Sequence, residues 1–171
     1  MWTLKTKVYY ILYKLTASWL PESRHLKMAK ILRNFWASHI ISEFGKNINI
    51  ERNAKFTPEL RIGDESGIGV NAEVYGTVII GKYVMMGPEV IIYTRNHKHK
   101  ISKEAFFQQG YEDVRPVTIG DNVWIGRRAM FMPGSAIGKN SVVAAGTVVT
   151  KKFGDGLIIG GVPAKIIGYV E

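Results

Sequence analysis

The sequence predicts an all-β solenoid, a parallel β-helix with a short N-terminal helical segment. Three observations predict it. Apolar residues recur every six positions over most of the chain, small residues and glycines hold fixed places around them, and the first 46 residues carry a helical spacing instead. Neither the 3.6-residue period of a helix nor the alternation of an ordinary strand produces a six-residue period. A stack of short coils does.

The repeat reads directly from the chain. Ile50, Phe56, Ile62, Ile68, Val74, Ile80, Met86 and Ile92 are spaced six apart, and the count resumes with Ile119, Ile125, Phe131, Ile137, Val143 and Val149. Fourteen matches are far beyond chance in a chain that is 46% hydrophobic. The residue two before each is often small or β-branched: Ala54, Ser66, Ala72, Val78, Val84, Val90, Val123, Ala129, Ser135, Ser141 and Thr147. The residue after is glycine at 63, 69, 81, 87, 120, 126 and 138. Each unit is expected to supply a short strand and a turn. The apolar residue points inward, the small one lets the corner close, and glycine tolerates the backbone of the turn. Three units per coil make a triangular prism. Eight units before the interruption and six after it give about four to five coils.

The interruption runs from Ile92 to Ile119, 27 positions, which is not a multiple of six. Residues 95–116, RNHKHKISKEAFFQQGYEDVRP, therefore leave the prism as an excursion loop. A long loop inside a compact domain is usually functional or disordered. This one holds His97 and His99, two of the four histidines in the chain, which favours function.

Before the repeat, residues 2–44 read as two helices, LKTKVYYILYKLTASWL and, after Pro21, ESRHLKMAKILRNFWASHII. Pro21 and Glu22 suit a helix start, and Gly45 suits a helix end. Leu26, Ala29, Ile31, Leu32, Phe35 and Trp36 are expected to form the apolar face of the second helix. The predicted division is a helical segment over 1–46 and a β-helix over 47–171.

Composition narrows the function classes. The absence of cysteine excludes disulfides, thiolate metal sites and a cysteine nucleophile. No apolar run reaches the length of a spanning helix, and the start lacks a signal-peptide pattern, so a cytoplasmic protein is expected. The net charge is +9, of which residues 1–46 carry +6. Such asymmetry suits an anionic partner or a solvated helix face. Nucleic acid is not expected, because no nucleic-acid motif accompanies the charge.

The stretch VTIGDNVWIGRRAMFMPGSAIGKNSVVAAGTVVTKKF, followed by GGVPAKIIG, resembles the hexapeptide-repeat O-acetyltransferases, in particular galactoside and maltose acetyltransferases and the sugar acetyltransferases of capsule and O-antigen synthesis. The resemblance covers roughly residues 47–168. It implies a left-handed parallel β-helix, a homotrimer, and acetyl-CoA as co-substrate in clefts between neighbouring prisms. It implies that His97, in YTRNH, is the catalytic base. It places Asn71 and Trp124 beside the acceptor, Gly126 and Ala145 where backbone approaches the pantetheine arm, and Lys151 and Lys165 near the CoA phosphates. Asn71 also suits a plain turn residue, and Trp124 a packing residue at a rim.

Three departures stand out. Arg127 and Arg128 replace small groups, KFGDG replaces the usual ending of the last coil, and Gly168 stands where a further basic residue is common. Arg127 would contact CoA or an anionic sugar, or face solvent. His99 would hydrogen-bond locally or assist substrate binding. With no third ligand fixed near the His-x-His pair, no metal is expected.

The reading that follows is an acetyl-CoA-dependent O-acetyltransferase of a sugar or lipid-linked sugar, in surface polysaccharide biosynthesis. Alternatives are N-acetylation of an amino sugar, serine O-acetylation, whose enzymes have a larger helical front, and a non-catalytic β-helix binding module. The N-terminal helices are expected to cap the open end of the prism, to present a basic face to the inner membrane as a peripheral contact, or both.

Overall fold

The structure, a computed structural model, describes residues 2–171. Two helices, α1 (Leu4–Thr16) and α2 (Lys27–Ser38), precede a parallel β-solenoid of three faces. The first face stacks six strands: Glu43–Phe44, Arg61–Ile62, Val78–Ile80, Val117–Ile119, Ala136–Ile137 and Lys152–Phe153. The second runs from Asn49–Ile50 through Gly67–Ile68, Met85–Met86, Trp124–Ile125 and Val142–Val143 to Leu157–Gly160. The antiparallel strand Lys165–Tyr169 then covers its last edge. The third face stacks Lys55–Phe56, Glu73–Val74, Ile91–Ile92, Met130–Phe131 and Val148–Val149. Neighbouring coils are in register 18 residues apart, as Ile62 with Ile80 and Ile119 with Ile137.

All fourteen periodic residues are buried, and so are the eleven small or β-branched residues two positions before them. The solenoid has about six turns, more than the four to five expected. Phe44, six before Ile50, already lies in the first coil. The last coil adds Phe153 and Ile159, which the strict period misses because Phe153 pairs with Ile137 only 16 positions upstream.

The glycine row has a different cause from the one expected. Gly63, Gly69 and Gly126 do not adopt left-handed backbone. A Cβ on Gly63 would stand 2.7 Å from the Gly81 carbonyl carbon, and one on Gly126 would stand 2.5 Å from the Ala145 nitrogen. The coils approach too closely for a side chain at that level. The left-handed residue comes two positions later, at Asn47, Glu65, Asn71, Tyr83, Glu89, Asn122, Arg128 and Asn140. Asparagine suits these turns because it tolerates positive φ and bonds locally. Asn122 donates its amide to Asn140 at 2.8 Å, and Asn53 to Asn71 at 3.2 Å.

The helices close the open end of the stack, as a solenoid requires. The first coil has no coil beneath it, so its inward and downward backbone groups need other partners. Tyr13 donates its phenol to the Ala54 carbonyl at 2.9 Å, Asn34 its amide to Ile48, and Arg33 its Nε–H to Ile50. Arg33 is fully buried, donates further to Leu20, Pro21 and the Ser23 hydroxyl, and lies 3.6 Å from Glu51.

This cap corrects the sequence reading of the second helix. The helix begins at Lys27 rather than near Glu22, since residues 20–26 fold as a turn whose carbonyls Arg33 satisfies. It ends at Ser38, and Gly45 belongs instead to the close-packed glycine row, 2.6 Å from the Asp64 nitrogen if given a Cβ. The inner face is Ala29, Arg33 and Ala37, flanked by Leu32 and Trp36, whereas Ile31 and Phe35 point outward.

Two outcomes follow. Gly63→Ala forces backbone against backbone and should lower stability by about 2 kcal/mol, while Gly154→Ala, with open space around it, should be neutral within about 0.5 kcal/mol. Denaturant titration of the two variants checks this. Arg33→Met leaves the Ile50, Leu20 and Pro21 carbonyls without their donor and removes the cation beside Glu51. It should cost about 3 kcal/mol, read as a melting temperature about 6–12 °C lower.

Candidate functional site

The excursion leaves the prism at the edge between the third and first faces. Ile119 pairs with Ile80, 39 positions upstream instead of 18, so 21 residues are inserted in one coil. Thr94 anchors the departure. It is buried, and its hydroxyl donates to the Tyr75 carbonyl at 3.1 Å. The two ends of the loop are stapled where the Arg115 N–H donates to the Thr94 carbonyl at 2.7 Å and Gly134 N–H to Arg115 at 3.0 Å.

Inside the loop the chain doubles back as a hairpin. His97 and Tyr111 form an antiparallel bridge, supported by Lys98 N–H to Gly110 and Glu112 N–H to Asn96. The His97 ring lies 4.1 Å from the Tyr111 ring centroid, and the Arg95 guanidinium also lies 4.1 Å from that centroid. The imidazole is therefore exposed but held by a partner, which fixes its direction without burying it. His99 points elsewhere: its Nδ1 is 3.3 Å from the His97 carbonyl and 3.9 Å from Glu112. Among the described residues, no three His, Cys, Asp or Glu side chains gather to hold a metal.

Beside His97 is a cleft of about 650 Å³. Tyr75 and Tyr93 line it as parallel rings, 6.0 Å between centroids, with Glu59, Thr57 and Asn96 supplying polar groups. Burial, assisted by Glu73, pushes the Tyr75 phenol up to about 12, so it remains a proton-bearing donor at neutral pH. Sequence reasoning missed this tyrosine pair. Its signal is that Tyr75 and Tyr93 each follow an inward residue, 18 apart, at the place where the other faces carry glycine.

The remaining sequence-predicted residues lie elsewhere on the chain. Asn71, Gly126 and Ala145 line the edge between the second and third faces, Gly126 and Ala145 in contact across successive coils. Asn71 holds a left-handed turn there and accepts from Asn53. Trp124 stands exposed in the middle of the second face, between Met85 and Val142. Lys151 and Lys165 come together in a groove of about 340 Å³ at the C-terminal end of the prism. Arg127 and Arg128, the departure in the motif, both pair with Glu89 in the coil before, and the two guanidiniums hold its carboxyl below the usual carboxylate range. One chain thus brings His97 to one edge, and the residues resembling a CoA-binding set to another edge, a face and an end.

The pattern described as "Bacterial transferase hexapeptide (six repeats)" matches residues 116–151, and that of "Hexapeptide repeat of succinyl-transferase" matches residues 59–87. A candidate acetyltransferase of Dictyostelium discoideum is 33% identical over 150 residues, 82% of this chain and 74% of its own length. The chain belongs to the hexapeptide-repeat acetyltransferase family. The galactoside O-acetyltransferase of Escherichia coli, another such acetyltransferase, is 34% identical over 146 residues, 84% of this chain and 64% of its own length. Two fungal relatives are spanned over 44% of theirs. A galactoside acetyltransferase solved in complex with coenzyme A superposes with a TM-score of 0.81 at 27% identity, over 98% of this chain and 81% of that one. Hexapeptide-repeat folds of this kind account for the six-residue period and for the glycine row together.

The loop base gives a prediction. A Cβ on Gly76 would fall 1.8 Å from the Thr94 hydroxyl, on backbone already at φ +83°. Gly76→Ala should dislodge Thr94 and loosen the hairpin. Limited trypsin digestion should then cut at Lys98, Lys100 or Lys103 about tenfold faster than in the parent, with the prism itself intact. An unchanged cleavage rate contradicts the anchoring role.

Proposed function

We propose that this chain is an acetyl-CoA-dependent O-acetyltransferase that transfers acetyl to a hydroxyl of a sugar or lipid-linked sugar in surface polysaccharide biosynthesis. The observation that carries the reading is His97, presented by a stapled hairpin at the mouth of a cleft floored by parallel tyrosines. Aromatic rings suit the apolar face of a sugar, and Tyr75, Thr57 and Glu59 offer donors and acceptors for its hydroxyls. The sugar named for the E. coli relative and for the coenzyme A complex supports this acceptor class.

Acetyl-CoA supplies an activated acetyl thioester. The chain's own part is to bind, orient and move one proton. A ring nitrogen of His97 accepts the proton of the sugar hydroxyl as its oxygen bonds to the acetyl carbon, and the same proton returns to the departing thiolate. No residue is acylated, in keeping with a chain that has no cysteine. Lys151 and Lys165 line one groove, and their ammonium groups suit phosphate oxygens. Gly126, packed against the next coil, and the exposed Ala145 keep side chains short along that edge, which suits a long, thin ligand.

The assembly proposed is a homotrimer. In one chain His97 stands on a different edge from Asn71, Gly126 and Ala145, and Trp124 lies in the open on a face whose outward residues Met85 and Val142 are apolar. A neighbouring prism set against that face would bring its own hairpin, with exposed Ile101, Phe106 and Phe107, over Trp124. Each site then takes its base from one subunit and its tryptophan from the next.

His97→Ala should retain the fold and assembly and lose about 10²–10⁴-fold in turnover, with thiol release from acetyl-CoA as the assay and a panel of sugars as acceptors. Turnover within about threefold of the parent would move the base elsewhere. His99→Ala should do less damage. Lys151→Gln combined with Lys165→Gln should raise KM for acetyl-CoA about tenfold while leaving kcat near the parent value.

A further inference from the structure

The helical cap satisfies the first coil with one side of each helix, and its other side is apolar as well. Tyr13 on α1 and Ala17, which caps its C-terminus, are buried, whereas Leu4, Val8, Ile11 and Leu15 lie on the other side of the helix and are exposed, Leu4 at 81%. Their spacing of four, three and four residues makes one continuous stripe along the helix. On α2 the buried residues are Ala29, Arg33 and Ala37, and the opposite stripe is Met28, Ile31 and Phe35, all more than half exposed. Both helices lay their inner faces on the first coil, so both stripes point away from the prism at the same end. Trp19, in the connection between the helices, is exposed beside them. A cap needs one apolar side, and the second has no role in closing the solenoid.

Charge says what covers it. Residues 2–42 hold seven basic side chains and one acidic one. Arg33 is buried, and Arg24 pairs with Glu22 at 3.0 Å. Of the five that remain, Lys30 turns to the prism and donates to Asn47 at 3.2 Å, while Lys5, Lys7, Lys14 and Lys27 border the stripes. On α1 the helical period puts Lys5 on one flank of the stripe and Lys7 with Lys14 on the other. Apolar side chains in the centre, long lysines on both flanks and an exposed tryptophan are the features of a helix that lies in the interface of a bilayer. A second copy docking through the same face would set four lysines against four lysines, which charge disfavours. Among the described residues no helix is long and apolar enough to cross a membrane, so the contact is peripheral.

We propose that the outer face of α1 and α2 docks this protein on an anionic lipid surface, with Leu4, Val8, Ile11, Leu15, Met28, Ile31 and Phe35 inserted among the acyl chains and the lysines against the headgroups. The inference stands on the cap alone and does not depend on the reaction performed at His97.

Flotation of the full chain with lipid vesicles tests it. Vesicles of phosphatidylcholine with about 30% phosphatidylglycerol should carry the protein at about 50 mM salt, and pure phosphatidylcholine vesicles at least about tenfold less. About 0.5 M salt should release most of it. Ile11→Ser with Leu15→Ser should weaken binding about tenfold or more, and so should Lys5→Gln, Lys7→Gln and Lys14→Gln together. Both sets lie on the outer side, so the melting temperature should stay within about 3 °C of the parent. Absence of binding to the anionic vesicles at low salt overturns the proposal. So does binding that survives both sets of substitutions. A larger assembly in sedimentation that the Ile11 and Leu15 substitutions dissolve also overturns it, by assigning the face to another copy of the chain.

Discussion

Backbone hydrogen bonds between successive coils set the spacing of everything else in this protein. Parallel strands that exchange N–H···O=C bonds must sit about 4.8 Å apart. At that distance there is no room for a side chain between the coils at the two corners that follow the first and second faces, which is why the residue after the inward apolar one is glycine so often. The same spacing fixes the turn two residues later in left-handed backbone, where asparagine recurs and where Glu65, Tyr83, Glu89 and Arg128 are the exceptions. Glu89 and Arg128 compensate through their mutual ion pair, which adds a side-chain bond between coils where the asparagines elsewhere form amide bonds.

A stack with so regular a pitch also decides where chemistry can be placed. Eighteen residues return the chain to the same edge, so an insertion at one corner emerges at that edge and leaves the coils above and below in register. The loop over 95–116 does so: Ile80 and Ile119 still pair, although 21 extra residues lie between them. Thr94 and Arg115 close its base, and the ring of Tyr111 holds His97 over the cleft. The coils stay in register, and the histidine proposed as the base is carried on a short hairpin fastened to them. That is the arrangement expected when a base must meet a bound acceptor at a set distance.

The sequence made the repeat legible because an inward residue in a solenoid has only one environment. Ile50 through Val149 could be assigned from spacing alone, and each is buried. The prism's length was less legible. Its last coil drops two residues before Phe153, and a strict period cannot follow a deletion. The helices were legible as helices and misread in orientation. Ile31 and Phe35 look like core at helical spacing, yet Arg33 takes the interior because the first coil offers carbonyls that need donors, a demand that no local pattern expresses. At the candidate site, the resemblance singled out His97 in YTRNH, whereas the tyrosine pair and Thr94 were hidden among residues whose partners are 18 or 19 positions away. Arg127, read as a contact for CoA or an anionic sugar or as a solvent-facing residue, pairs with Glu89 together with Arg128, a partner 38 positions away that no local pattern reveals.

The central claim is that catalysis needs His97 from one subunit and Trp124 from another. Coexpression of two variants tests it most directly. His97→Ala and Trp124→Ala are each expected to be inactive alone. In randomly assembled trimers about a quarter of all sites should recover an intact histidine facing an intact tryptophan, so acetyl transfer should reappear at about that fraction of the parent rate. Coexpressed protein that stays as inactive as either variant would contradict the account and place the whole site within one chain.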